Sequence, residues 1–163
     1  MLNKSKIALA GAIAAAALVS TGANAATQTA TAEVDILAAV QLAQNDGLDL
    51  GVVAATATGG TVVLPTASNV RTCTGVVCAG AALRGRFTVS GAANGYVVGI
   101  TVPASTTLSS GANSMTLTLT PSLTSFTSSG ADEEFFVGGS LAVGANQAAG
   151  TYTGTYNVSA EYQ

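Results

Sequence analysis

Cys73 and Cys78 are the only thiols in the chain, five positions apart around Thr74-Gly75-Val76-Val77. Three chemistries compete for such a pair. A thioredoxin-type redox motif needs two intervening residues and has four here. A zinc site needs two further ligands, but there is no histidine and no third cysteine. A local disulfide remains, expected if the chain reaches an oxidising compartment. Closing so small a loop restrains the unfolded chain by about 2 kcal/mol, which suits a staple at a hairpin tip.

The absence of histidine also removes the Ser-His-Asp and Cys-His forms of nucleophilic catalysis and the commonest general base. Asp132-Glu133-Glu134 offers oxygens to a calcium ion, but it has no EF-hand spacing and reads as a solvated loop. Asp46 and Asp49 flank Gly47, where aspartate favours turns and caps. No segment fits a phosphate-binding glycine loop. Tyrosines at alternate positions near the C-terminus could stack on sugars, but an alternating strand more often buries them in a core. The sequence therefore assigns no catalytic, metal or cofactor residue, and the expected class is a non-enzyme.

The elements that would position these residues follow a leader. Lys4 and Lys6 precede thirteen apolar positions from Ile7 to Val19, and Ala23-Asn24-Ala25 supplies small residues at cleavage spacing, so residues 1–25 read as a secretory signal peptide. The apolar run is shorter than the roughly 20 residues needed to cross a bilayer, and no later segment repeats it. The expected mature chain begins near Ala26 and keeps 138 residues, enough for one domain with one core. It carries Arg71, Arg84 and Arg86 against eight acids, a net charge of −5. Nucleic acid is excluded as a partner, because phosphate contacts need clustered cations. Charged residues make up 8% of the chain against a usual quarter or so, leaving a threonine- and serine-rich surface that does little to keep copies apart.

Period-two alternation dominates the rest. Tyr152, Gly154, Tyr156, Val158, Ala160 and Tyr162 share one face of a predicted C-terminal strand, with Thr151, Thr153, Thr155, Asn157, Ser159 and Glu161 on the other. Met115, Leu117 and Leu119, then Phe87 with Val89, then Tyr96 to Val102, and Val62 with Leu64, repeat the pattern. A less regular strand is expected from Glu134 to Val143. Turn-rich clusters such as Gly59-Gly60, Ser109 to Asn113 and Gly144 to Gly150 separate them. Seven or more short strands without a long amphipathic helix imply an all-β, antiparallel β-sandwich over residues 36–163. The run Ile36 to Ala43 suits either a strand or a short helix and is read as strand. Before it, Ala30, Ala32, Val34 and Ile36 alternate with Thr29, Thr31, Glu33 and Asp35, giving an exposed strand in an extension over residues 26–35.

Four motifs in order carry a family resemblance: Leu48-Asp49-Leu50-Gly51, Phe87-Thr88-Val89-Ser90-Gly91, Val137-Gly138-Gly139-Ser140-Leu141, and Gly150-Thr151-Tyr152-Thr153-Gly154-Thr155-Tyr156 running on to Tyr162. With them the chain resembles a bacterial family of exported domains of unknown function, related to the spore coat protein U domain and to subunits of archaic chaperone-usher pili. Leu50 stands where that family prefers phenylalanine. The resemblance implies an immunoglobulin-like sandwich and a pilin-like or coat-like structural role at the cell surface, with copies of itself, a periplasmic chaperone and an outer-membrane usher as partners. Pilus subunits of that kind lend an N-terminal strand to a neighbour's open groove. The candidate donor is Ala30, Ala32, Val34 and Ile36, and the candidate core strand holds Tyr152, Tyr156, Val158 and Tyr162. The alternative is a monomeric periplasmic or secreted binding module whose first strand stays within its own sandwich.

Overall fold

The computed structural model describes residues 25–163, so the expected signal segment falls outside them but for its last residue. Residues Asp35–Gln163 form one compact unit. Among the described residues there are twelve strands and no helix: β1 Gln41–Asp46, β2 Val52–Ala54, β3 Gly60–Leu64, β4 Thr72–Thr74, β5 Val77–Ala79, β6 Gly85–Ser90, β7 Val97–Thr101, β8 Ser105–Ser110, β9 Asn113–Pro121, β10 Ser125–Thr127, β11 Glu133–Val143 and β12 Ser159–Tyr162. Every pairing is antiparallel, and the sheets form a sandwich.

The long strand β11 is the axis of a seven-stranded sheet. One of its edges pairs with β6 over Glu133–Val137 and then with β3 over Gly139–Val143; its other edge pairs with β9 over Val137–Leu141. The outer positions are taken by β1 beside β6, β4 beside β3 and β8 beside β9. A three-stranded sheet, β10-β7-β12, and a two-stranded ribbon, β2-β5, complete the fold.

Alternation explains which side is filled. Val62 and Leu64, Phe87 and Val89, Leu117 and Leu119, and Phe135, Val137 and Leu141 all point into one core, where Val98 and Ile100 of the smaller sheet meet them. Phe135 lies opposite Phe87 in the ladder, and their rings stack with centroids 5.3 Å apart. On the outer side of β11, Phe136 lies under the guanidinium of Arg84, 3.5 Å from the ring centre. The Gly138-Gly139 pair marks two places where a neighbouring backbone comes too close for a side chain. A Cβ at residue 138 would run into the Leu64 carbonyl oxygen, and one at residue 139 into that of Thr118.

Three sequence expectations are corrected. The C-terminal strand is not continuous: only Ser159–Tyr162 pairs with β7, and Thr153 forms an isolated bridge with Ser109 of β8. The strands β7 and β8 are successive in sequence but belong to different sheets, separated by a short link containing Pro103, which cannot donate to a ladder. A segment that follows both must break its own ladder where they part. The burial alternation survives the break, with Tyr152, Tyr156, Val158, Ala160 and Tyr162 half-buried between exposed neighbours. The expected strand over Ile36 to Ala43 begins only at Gln41, and the alternating stretch from Ala30 to Ile36 carries no strand. Periodicity marks faces, but a strand also needs a neighbouring backbone to bond with. At Ala38 the carbonyl is satisfied instead by the Tyr162 hydroxyl, 3.0 Å away.

Candidate functional site

Where the ribbon and the C-terminal segment stand apart, the sandwich is open. Leu108 of β8, Met115 and Leu117 of β9, and Leu141 and Val143 of β11 form the floor of a groove of about 920 Å³. Leu48 to Ala55, including all of β2, make one wall, and Gln147 to Tyr156 make the other. Large apolar side chains and backbone dominate this lining; Asp49 is its one carboxylate.

Each wall is locally built. At the first, Asp49 and Leu83 exchange backbone hydrogen bonds of 2.7 and 2.8 Å, and the Asp49 carboxylate accepts the Gly51 amide at 2.7 Å. Gly51 sits at φ 70°, and a Cβ there would strike both the Arg71 guanidinium and the Ala81 carbonyl, which accounts for the glycine in the Leu48–Gly51 motif. The second wall is fixed to β8 by two hydrogen bonds between Thr153 and Ser109, at 2.8 and 3.0 Å, and by the Thr106 hydroxyl donating to the Thr155 carbonyl at 2.7 Å. The Tyr152 hydroxyl accepts from Gln147 and donates to the Ala148 carbonyl, both at 2.8 Å, which closes the loop above it. Gly154 is pressed against the Thr107 carbonyl, so this motif glycine is also a close-approach position. An Asn146 amide bond to the Thr56 carbonyl, 2.9 Å, links the walls at one end.

Within its sheet β2 pairs only with β5, so among the described residues its second edge has no strand beside it. An apolar floor beside an unpaired strand edge is the geometry that strand addition uses, in which backbone groups complete a ladder and alternate side chains enter pockets.

The other residues singled out from the sequence lie as follows. Cys73 and Cys78 form a disulfide with Cα atoms 6.3 Å apart. Asp46 is not a cap; its carboxylate pairs with Arg86 at 2.7 Å, and Glu134 holds the same guanidinium at 3.3 Å. The hydroxyl of Tyr162 accepts the Ala93 amide at 2.7 Å. Arg71 had no sequence signal, yet it grips the first wall, as developed below.

Tyr156 reaches under the groove, edge-on to Phe87 at 6.4 Å, and its hydroxyl is buried against Gly85 without a hydrogen-bond partner among the described residues. Burial raises its pKa above the ordinary 10.0. The folded state therefore favours the neutral phenol, and the stability this carries is present below about pH 10 and lost as pH rises through the raised folded value. Tyr156→Phe should leave neutral-pH stability unchanged or raise it by up to about 1 kcal/mol, because an unsatisfied buried hydroxyl is removed. The variant should also lose less stability than the parent above pH 10. Denaturant titrations at pH 7 and pH 11 measure both; a steeper alkaline loss in the variant would contradict the burial.

A family model, "Domain of unknown function (DUF4402)", matches residues 40–162. The chain belongs to this family. The DUF4402 match takes in the whole sandwich, both groove walls, the disulfide and all four sequence motifs, and it begins one residue before β1. No curated protein matches the chain.

Proposed function

We propose that this protein is an exported structural subunit that assembles by strand addition, its groove receiving the segment Ala30 to Ile36 from another copy. The observation that carries this reading is the groove itself, an apolar floor beside the free edge of β2. The donor segment supplies the complementary pattern, with Ala30, Ala32, Val34 and Ile36 on one face and Thr29, Thr31, Glu33 and Asp35 on the other. All of it precedes the DUF4402 match. Ile36 is 90% exposed in the single subunit, an apolar residue still to be covered. The resemblance of the four motifs to the spore coat protein U domain and to archaic chaperone-usher subunits points the same way. It adds a chaperone that holds the groove before assembly and an usher at the outer membrane as expected partners.

A second reading rests on size. About 920 Å³ lies within the range of small-molecule sites, so a monomeric exported binding module would use the same groove for an apolar ligand. Deleting Ala26 to Asp35 separates the two. Under strand addition the parent chain forms multimers that survive SDS without heating, and the deletion leaves a folded monomer. A parent that stays monomeric in gel filtration across the accessible concentration range favours the binding module.

A further inference from the structure

Two side chains close together in sequence help hold the free wall of the groove: Arg71, just ahead of β4, and Cys73 within it. Cys73 belongs to the seven-stranded sheet, opposite Val62 of β3, whereas its disulfide partner Cys78 lies in the ribbon, opposite Val53 of β2. The bond therefore joins the two sheets, and Val53 across from it lines the groove. Arg71 grips one end of the ribbon, donating to the carbonyls of Leu50 at 2.6 Å, Ala79 at 2.5 Å, Gly80 at 3.1 Å and Ala81 at 3.3 Å. At the other end the Thr56 hydroxyl donates to the Gly75 carbonyl at 2.7 Å, beside the Asn146 bond described above.

The ribbon has little cohesion of its own. It pairs at three positions, and its outer face leaves Val52 and Val77 each 65% exposed. Two-stranded ribbons of this size are marginal in water without outside support. Here that support is Arg71 and the Asp49–Leu83 bonds at one end, the Thr56 and Asn146 bonds at the other, and a covalent bond between them.

We infer that the Cys73–Cys78 bond is a redox lock on the groove: oxidised, it seats the β2–β5 wall and lets the groove accept a strand; reduced, it frees the wall and the groove loses its strand edge. This rests on the strand-addition reading above. Locking removes two protons and two electrons from the thiol pair as the S–S bond forms. The co-reactant is a disulfide-bearing exchange protein, which takes up both and leaves as a dithiol.

The test uses the full chain oxidised, reduced with dithiothreitol, and as the Cys73→Ser/Cys78→Ser double variant. The probe is a fluorescein-labelled synthetic peptide with the sequence of residues 26–40. Its anisotropy should report saturable binding to the oxidised chain and binding about tenfold or more weaker to the reduced chain and the double variant, with reoxidation restoring the first. Hydrogen exchange read by mass spectrometry on the same samples should rise on reduction at residues 48–55 and 77–81 while β6, β9 and β11 stay protected. Equal peptide affinity in both redox states overturns the lock and leaves strand addition standing. A uniform rise in exchange across β6, β9 and β11 overturns it too, since the bond would then stabilise the whole sandwich and not one wall. No binding by the oxidised chain overturns the strand-addition reading, and the lock with it.

Discussion

Phe135→Ala should lower the free energy of unfolding by about 3 to 5 kcal/mol, the range for truncating a buried aromatic side chain. Phe136→Ala, one residue along the same strand, should cost about 1 to 2 kcal/mol. The difference comes from the pleat of β11. Phe135 is fully buried, stacked on Phe87 and flanked in the core by Val137 and Val89, and those neighbours cannot close over the space its ring would leave. Phe136 points to the other face, where it loses the Arg84 cation–π contact and part of a half-buried surface while water fills the gap. Urea titration followed by circular dichroism gives both numbers. Equal losses would mean that β11 does not separate a core face from an outer face, and the sandwich as described would be wrong.

That separation is legible in the sequence alone. Alternation at Met115, Leu117 and Leu119, at Phe87 and Val89, and at Val62 and Leu64 names the core face of three strands, because a half-buried antiparallel strand has only two faces to sort residues between. The cysteine pair was readable for a similar local reason: spacing and the lack of other ligands left one chemistry. What alternation does not contain is the identity of the neighbour. The stripe from Tyr152 to Tyr162 is real in burial, but its ladder changes partner from β8 to β7 partway. The stripe from Ala30 to Ile36 has the same pattern and no strand at all.

The groove was illegible for a related reason. Its floor residues, Leu117 and Leu141 among them, read as ordinary core positions and are nearly fully buried, so the groove shows only in the placement of β2 away from the C-terminal segment. Arg71 was invisible as well, since its four partners are backbone carbonyls that no side-chain pattern announces. The glycines lie between these cases. Gly51, Gly138 and Gly154 stood out as motif members, and each proves to be a place where another backbone comes too close for a Cβ.

If the alternating segment is the donated strand, Val34→Asp should abolish multimers, whereas Thr31→Asp should leave them intact. Both changes add one negative charge to the same exposed segment, so net charge and solubility move equally and only the face differs. Position 34 shares the apolar face with Ala30, Ala32 and Ile36 and would enter the groove floor over Leu117 and Leu141. A carboxylate there meets no cation among the residues lining the groove and would have to leave water unpaired. The donor has an easier course, which is to stay in solvent, so the loss should appear as free monomer and not as an unfolded chain. Position 31 shares the opposite face with Glu33 and Asp35, acids that the segment already carries toward water. Gel filtration and electron microscopy of the two variants beside the parent read the outcome, with circular dichroism confirming that the sandwich is unchanged. Multimers in Val34→Asp at the parent's level would show that this face is not the buried one, and loss in both variants would trace the effect to charge and not to strand insertion.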